Sequence, residues 1–223
     1  MNESNPNRIP FKRAAYDHLA MVGKALANGT RLEILELLAQ APRTVEVLAR
    51  EVNQSVANTS QHLQSLKRAH LVTHRRKGLF VTYALAGDDV GALLATLQKV
   101  AAGHLAGLRE LTRDYFGSRD SLEPLDRDTL LRRLETRDVL LIDVRPESEF
   151  AAGHVPGAVS VPLARLEEHL HALPRERTIV AYCRGPFCAM SADAARKLRA
   201  LGFDARRAEI SVTDFPNQTK ATR

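Results

Sequence analysis

The two cysteines of the chain, Cys183 and Cys188, lie five positions apart and are the residues best suited to covalent chemistry. Cys183 follows the apolar run Thr178–Tyr182, which predicts a buried strand, and a helical pattern begins at Ala189. A cysteine in such a loop can be held as a thiolate, because loop N–H groups and the positive end of a helix stabilise negative charge. Since the thiolate is the reactive form, we predict that Cys183 is a nucleophile.

Cys188, at the far end of the same loop, allows two interpretations. It could resolve a persulfidated or oxidised Cys183 into a disulfide. Alternatively, it is a small buried apolar residue at the start of the helix. A disulfide across so short a loop must satisfy strict geometry, which slightly favours the second interpretation.

The elements that must position this loop follow an alternating order. From residue 129 onwards, strand-like and helical patterns alternate, which indicates an α/β domain with a mainly parallel sheet. The predicted strands are 139–144, 158–161, 178–182 and 203–207, and the predicted helices are 129–135, 147–151, 164–171 and 189–198.

Residues 125–207 resemble the rhodanese family through three ordered motifs: Leu140–Arg145, Glu149–Ala158 and Tyr182–Gly185. The resemblance implies that Cys183 takes a sulfane sulfur from a donor such as thiosulfate, becomes a persulfide and passes the sulfur to an acceptor. It also matches Asp143 and Arg145 to the family's Asp-x-Arg strand end. We interpret this pair as ordering the site, and the alternative is a purely structural ion pair.

The loop sequence favours sulfur over phosphate or arsenate as the substrate element. Phosphatase-type cysteine loops close with an arginine that binds the oxyanion, whereas the position six residues after Cys183 is Ala189. Arg184 could still attract an anionic donor such as thiosulfate, and the alternative is a side chain that faces solvent. The site residues predicted for catalysis are therefore Cys183, Arg184, Asp143 and Arg145.

The C-terminal end departs from the rhodanese pattern. After Arg207 the family resemblance predicts a Gly-rich turn, an aromatic residue and a closing helix, but the chain reads Ala208–Asn217 and then a polar stretch. We therefore expect the closing helix to be missing or replaced, with a rhodanese-like domain over 127–212 and a tail over 213–223. This departure puts sulfurtransferase turnover in question.

The N-terminal half carries a different pattern. Two predicted helices come first, and Thr30 can cap the second of them. A short predicted helix over Val45–Glu51 and a turn at Val52–Gln54 then precede a helix that Ser55 can cap, and a basic hairpin follows over Leu71–Leu85. This order is typical of a winged helix-turn-helix, whose second helix enters the major groove of DNA. The predicted DNA contacts are Ser55, Asn58, Ser60, Gln61, Gln64, Lys67, Arg68, Arg75, Arg76 and Lys77.

This half resembles the ArsR family of bacterial repressors over residues 16–111. The matching segments are Ala27–Leu35, Ser55–Leu63 and Arg75–Tyr83. In many members of the family, cysteines in the helix before the recognition helix, or Asp and His residues on the last helix, bind a sensed metal. Here residues 44–49 of the former helix contain no cysteine, and the last predicted helix has one histidine, His104. Because zinc usually takes four ligands, we predict no metal site and no cofactor.

The last predicted helix of this half, 89–115, carries an apolar stripe at helical spacing: Val90, Leu93, Leu94, Leu97, Ala101, Leu105 and Leu108. The ArsR resemblance implies a homodimer through terminal helices, and a two-fold double-stranded DNA operator follows from it. The alternative is a stripe that packs only within its own domain. We place this DNA-binding and dimerisation domain at 12–115 and a linker at 116–126.

Charge and composition agree with this division. Residues 1–118 hold 15 basic and 10 acidic side chains, net +5, whereas residues 119–223 hold 17 and 16, net +1. The basic excess in the first half suggests a polyanion partner there. The sequence contains no apolar run of membrane-spanning length, so we expect no membrane partner and a soluble protein in a reducing cytoplasm.

Together these patterns predict a two-domain α + β protein, with an N-terminal winged helix-turn-helix and a C-terminal α/β rhodanese-like domain. The predicted function is a dimeric transcriptional repressor whose Cys183 accepts sulfane sulfur or senses redox state. Two alternatives stay open: a thiosulfate sulfurtransferase for which DNA binding is secondary, and a repressor with an inert rhodanese-like domain.

Overall fold

The structure is a computed structural model that describes residues 8–78, 80–116, 127–136 and 138–215. The chain forms two compact units, residues 1–94 and 95–223. The division falls within the helix Asp88–His104, upstream of the predicted linker 116–126. Of that linker, only Phe116 lies among the described residues.

The first unit combines helices with a small antiparallel sheet. Its elements are α1 (Arg8–Leu26), α2 (Gly29–Gln40), β1 (Arg43–Thr44), α3 (Val45–Glu51), α4 (Val56–Arg68), β2 (Val72–Lys77), β3 (Phe80–Leu85) and the first part of α5 (Asp88–His104). The strand order is β1-β3-β2. The pair α3–α4 followed by the β2–β3 hairpin is the predicted winged helix-turn-helix.

Helix ends in this unit follow their polar caps. The Asn28 side chain accepts a hydrogen bond from the Arg31 backbone N–H at 3.1 Å, so α2 begins at Gly29. The prediction that Thr30 caps this helix is wrong, because Asn28 reaches the free N–H groups first. Ser55 caps α4 as predicted and accepts a hydrogen bond from the Asn58 backbone N–H at 3.2 Å. Helix α1 begins at Arg8, four residues before the predicted domain boundary.

The long helix predicted over 89–115 is interrupted at Leu105, which separates α5 from α6 (Ala106–Phe116). Gly103 and Gly107 flank the interruption, and glycine lowers helix propensity by about 1 kcal/mol relative to alanine. The predicted apolar stripe has two environments. Val90 and Leu94 are buried in the core of the first unit, whereas Leu93, Leu97 and Leu105 are exposed.

The second unit contains a parallel four-stranded sheet in the order β5-β4-β6-β7. Its elements after α6 are α7 (Arg127–Glu135), β4 (Val139–Asp143), α8 (Glu147–Ala152), β5 (Val159–Ser160), α9 (Leu166–His169), β6 (Thr178–Tyr182), α10 (Ala189–Ala200) and β7 (Ala205–Arg207). Short 3₁₀ turns at 163–165 and 170–172 flank α9, so the helix predicted over 164–171 is only partly α-helical.

Alternate residues of β4 and β6 enter cores on opposite faces of the sheet. Ile142 and Ala181 face the core that contains α9 and α10, whereas Leu141 and Val180 face the core that contains Leu130 of α7. Strands that are buried on both faces are typical of a parallel sheet. This burial explains why 178–182 reads as a continuous apolar run.

The C-terminal segment completes the second of these cores without a closing α-helix. Its buried side chains are Ala208, Ile210, Val212 and Phe215, and a 3₁₀ turn over Val212–Asp214 carries them past the sheet. A capping box between Ser211 and Asp214 stabilises this turn. Phe215 belongs to the predicted tail 213–223, yet only 5% of it is exposed.

We expect Phe215→Ala to lower the free energy of unfolding of the second unit by about 3–5 kcal/mol, because it removes a buried aromatic side chain. Urea unfolding of the full chain, followed by circular dichroism, measures this change. The control is Phe80→Ala, at a side chain that is 70% exposed. An unfolding midpoint for Phe215→Ala equal to that of the control would contradict a structural role for the segment.

Candidate functional site

The two cysteines lie at the carboxyl end of β6 and form a disulfide with each other. Cys183 directly follows the strand and is 1% exposed, while Cys188 is half-buried and immediately precedes α10. Their Cα atoms are 6.3 Å apart, within the range of about 4.4–6.8 Å that disulfides use. The separation of the two Cα atoms therefore permits the disulfide of the first interpretation of Cys188.

The loop between the cysteines is a tight turn, in which the Cys188 backbone N–H donates to the Gly185 carbonyl oxygen at 3.2 Å. The sulfur that we predicted to lie in a cradle of N–H groups is bonded to Cys188 in this structure. A disulfide carries no thiolate. The prediction that Cys183 is a nucleophile therefore concerns the reduced form of the loop.

Asp143 and Arg145 form a fully buried ion pair at the carboxyl end of β4. The Arg145 Nε lies 2.9 Å from Asp143 Oδ1, and its Nη2 lies 2.5 Å from Asp143 Oδ2. Arg145 Nη2 also donates to the Gly153 carbonyl oxygen at 2.8 Å, which fixes the start of the Gly153–Gly157 loop. The geometry supports both earlier interpretations, since a structural ion pair also orders the elements around Cys183.

Tyr182 joins this ion pair to the cysteine loop. Its hydroxyl donates to Asp143 Oδ2 and accepts a hydrogen bond from the Val155 backbone N–H at 3.0 Å. Burial and the neighbouring Asp143 carboxylate raise the pKa of the Tyr182 phenol well above its usual value. This role was not predicted, because in the sequence Tyr182 is the last residue of an apolar strand and carries no sign of its polar partners.

Arg184 is held by Glu149, a residue that sequence analysis did not select. The Arg184 Nη2 lies 2.6 Å from Glu149 Oε1, and its Nε lies 3.2 Å from both carboxylate oxygens. Glu149 lies on α8 and is fully buried, and the Arg184 side chain is 13% exposed. The alternative of a solvent-facing Arg184 is therefore wrong.

The predicted DNA contacts in the first unit lie on α4 and on the β2–β3 hairpin. On α4, a stripe of exposed residues lies opposite the buried Thr59, Leu63 and Leu66: Ala57, Gln61, Gln64 and Arg68. Ser55 is exposed at the start of the helix, while Asn58, Ser60 and Lys67 are half-buried. The Asn58 side-chain amide donates to the Gln54 side-chain oxygen at 2.8 Å.

The hairpin presents its basic residues on two faces. In the β2–β3 register, Arg75 lies opposite Thr82 and Lys77 lies opposite Phe80, so these four residues share one face. Arg76 lies on the other face, and its Nε donates to the Gly78 carbonyl oxygen at 3.1 Å. Arg75, Arg76 and Lys77 are all exposed, as a surface that contacts phosphates requires.

Among the residues that the structure describes, no cluster of three or more histidine, cysteine or acidic side chains is suited to hold a metal ion. In the same residues, no helix is both long and apolar enough to cross a membrane.

Two family models match separate parts of the chain. A helix-turn-helix domain matches residues 26–75, and a rhodanese-like domain matches residues 126–214. The HTH-type transcriptional regulator Rv0324 of Mycobacterium tuberculosis is 46% identical over 204 residues, which cover 92% of this chain and 89% of that protein. This match spans both units.

Other relatives cover one unit each. A sulfurtransferase of Allochromatium vinosum is 38% identical over 61 residues, 27% of this chain and 57% of that protein. Among solved structures, a homodimeric winged helix-turn-helix DNA-binding domain of Mycobacterium bovis, fragment 1–100 of Mb0332, is 44% identical. It covers 48% of this chain and 94% of that chain, with a TM-score of 0.42.

We expect Tyr182→Phe to destabilise the second unit by about 1–3 kcal/mol at pH 7, because Asp143 and the Val155 N–H each lose a buried partner. The folded state binds the Tyr182 proton more tightly than the unfolded state, since its pKa is raised. The wild type therefore loses this stabilisation as pH rises above about 10, the ordinary phenol pKa.

Urea unfolding at several pH values tests this prediction. The difference in stability between the wild type and Tyr182→Phe should shrink above about pH 10. The matched control is Tyr115→Phe, at a tyrosine that is 54% exposed. A difference that stays constant from neutral to alkaline pH would show that Tyr182 does not titrate with a raised pKa.

Proposed function

We propose a sulfur-responsive repressor, starting from the family: the chain belongs to the ArsR-type helix-turn-helix transcriptional regulators that carry a C-terminal rhodanese-like domain. It is a transcriptional regulator that binds DNA through its first unit. The finer proposal is that Cys183 accepts a sulfane sulfur, that Cys188 resolves it into a disulfide, and that this change alters DNA affinity. The observation that carries the proposal is the Cys183–Cys188 disulfide at the end of β6.

The first unit supplies the DNA-binding surface of this proposal. The exposed polar stripe of α4 suits base edges in the major groove, since glutamine side chains pair with adenine and arginine pairs with guanine. Arg75, Arg76 and Lys77 on the hairpin suit the phosphate backbone. The half-buried Asn58 and Lys67 act from the edge of the same helix.

A homodimer is the second part of the proposal. Several large apolar side chains are exposed on α1, α5 and α6: Phe11, Tyr16, Leu19, Leu97, Val100, Leu111 and Tyr115. Exposed large apolar side chains on helices can mark interaction surfaces, and a second copy of the chain would cover them. A two-fold dimer would place two copies of α4 on an operator with two-fold symmetry.

The cysteine chemistry balances in two steps. The Cys183 thiolate attacks the outer sulfur of a donor R–S–SH, which forms Cys183–S–SH and releases R–S⁻. The Cys188 thiolate then attacks Cys183 Sγ, which forms the disulfide and releases HS⁻. The two thiolates lose two electrons in total, and the sulfane sulfur gains them as sulfide.

Two features favour a switch over a turnover enzyme. Cys183 is enclosed in the disulfide form, so an acceptor thiol reaches the half-buried Cys188 more readily. A DNA-binding regulator works in the cytoplasm, where thiols are kept reduced, and disulfides there are usually transient and redox-sensing or catalytic. Two observations support the sulfurtransferase alternative: the match of residues 126–214 to the rhodanese-like domain, and the 38% identity over 61 residues to a sulfurtransferase of Allochromatium vinosum.

We expect Arg75→Ala and Lys77→Ala each to weaken DNA binding and to reduce the slope of log affinity against log salt by about 0.9, because each change removes one phosphate contact. The probe is the duplex that the full-length chain selects from a random-sequence pool, measured by fluorescence anisotropy. Lys197→Ala, at an exposed lysine of α10, is the control. An unchanged slope in both hairpin variants would contradict the proposed surface.

The cysteine roles predict different products in three full-length proteins treated with a persulfide. By intact mass, the Cys188→Ser variant should gain one sulfur atom, the wild type should form the disulfide, and Cys183→Ser should do neither. Treatment should change the DNA affinity of the wild type by about 5–150-fold, the usual range of coupling between sites. Sulfur loading without any change in DNA affinity would instead support the sulfurtransferase alternative.

A further inference from the structure

The ion pair between Arg184 and Glu149 bears on which sulfur donor reaches Cys183. Attraction of an anionic donor was one of the two interpretations of Arg184 that the sequence left open. In the structure, three contacts of 2.6–3.2 Å join its guanidinium to the carboxylate of Glu149, which is fully buried on α8. The positive charge of the residue next to Cys183 is therefore balanced by a negative charge inside the protein.

The second ion pair near the loop is balanced in the same way. Arg145 is paired with Asp143, both side chains are fully buried, and the guanidinium lies 5.7 Å from the ring centre of Tyr182. Tyr182 and Arg184 flank Cys183 in the chain, so both ion pairs contact its immediate neighbours. The four charges Asp143, Arg145, Glu149 and Arg184 sum to zero.

A site with balanced charges treats donors differently according to their own charge. Moving an ion out of water costs solvation free energy, and this cost rises with the square of the charge. An unpaired cation beside Cys183 would offset part of this solvation cost for a donor with two negative charges. Where the cation already has a buried carboxylate partner, it gives a doubly charged donor such as thiosulfate little electrostatic stabilisation. A donor with one charge or none loses less solvation free energy when it enters the site.

We propose that Cys183 takes its sulfur from low-charge sulfane donors, such as alkyl hydropersulfides, in preference to thiosulfate, and that Glu149 sets this preference through Arg184. This inference rests on the proposed function, since it assumes that Cys183 accepts a sulfane sulfur. With a hydropersulfide the leaving group is R–S⁻, and with thiosulfate it is SO₃²⁻. Glu149 acts as a positioning residue that also neutralises Arg184.

The test compares two donors on three full-length proteins, all in the Cys188→Ser background so that the persulfide remains on Cys183. The donors are thiosulfate, with two negative charges, and 2-hydroxyethyl hydropersulfide, with at most one. The proteins are the parent, Glu149→Gln, and Glu149→Gln with Arg184→Gln. Stopped reactions analysed by intact mass give the loading rate for each donor, and the rate ratio between donors cancels their intrinsic reactivities when proteins are compared.

Glu149→Gln leaves the Arg184 charge unbalanced, so the thiosulfate-to-hydropersulfide rate ratio should rise about tenfold, the effect of one partly screened charge. This rise in the rate ratio should become smaller as the salt concentration increases. The double variant removes both charges and should return the ratio to that of the parent. A purely structural role for Glu149 would slow both donors equally and would not be reversed in the double variant.

Three results would overturn the inference. One is a rate ratio that does not change in Glu149→Gln, and another is a ratio that stays raised in the double variant. If Glu149→Gln does not fold, the salt dependence of thiosulfate loading in the parent protein is the test. A loading rate that falls steeply as salt is added would show an unbalanced positive charge at the site and would overturn the inference. Loading of the parent by neither donor would overturn the proposed function itself, whereas loading with an unchanged ratio overturns only this inference.

Discussion

The buried contacts of the Asp143 carboxylate hold the second unit together beside the cysteine loop. Arg145 and the Tyr182 hydroxyl both donate to it, Arg145 also contacts Gly153, and Tyr182 accepts from Val155. A buried charge is costly unless it is paired and its remaining hydrogen bonds are made. These contacts satisfy that requirement and connect the ends of β4 and β6 to the loop that begins at Gly153. Because Tyr182 directly precedes Cys183, the hydrogen bonds that fix Tyr182 also fix the position of Cys183.

The same principle explains why Glu149 and Arg184 form a second pair beside the first. Residues at the carboxyl end of a parallel sheet lie at one edge, so the loop after β6 and the helix after β4 meet there. A buried carboxylate on that helix needs a cation, and the only basic residue between the two cysteines is Arg184. The loop that carries Cys183 is therefore positioned by charge pairing as well as by the strand that precedes it.

Hydrophobic periodicity and turn residues predicted most of the fold. Burial on the two sheet faces and on α2 and α4 determines the spacing of apolar residues along the chain, so the sequence shows it directly. Strand β6 was predicted at its observed limits, and Ser55 was predicted as a cap. Three features could not be predicted. The Glu149–Arg184 pair joins residues 35 positions apart, Tyr182 makes polar contacts from the end of a strand predicted as apolar, and Phe215 packs into the core from the predicted tail. Each depends on long-range contacts.

A sulfur signal at Cys183 can alter DNA binding only if the oxidised and reduced loops differ in free energy between DNA-competent and DNA-incompetent forms of the chain. The disulfide joins the end of β6 to the start of α10, so its formation acts first on the second unit. The winged helix belongs to the first unit, and α5 contributes to both, with Val90 and Leu94 in the first core and residues from 95 in the second unit. Any effect of the disulfide on DNA binding therefore has to begin as a change of free energy within the second unit.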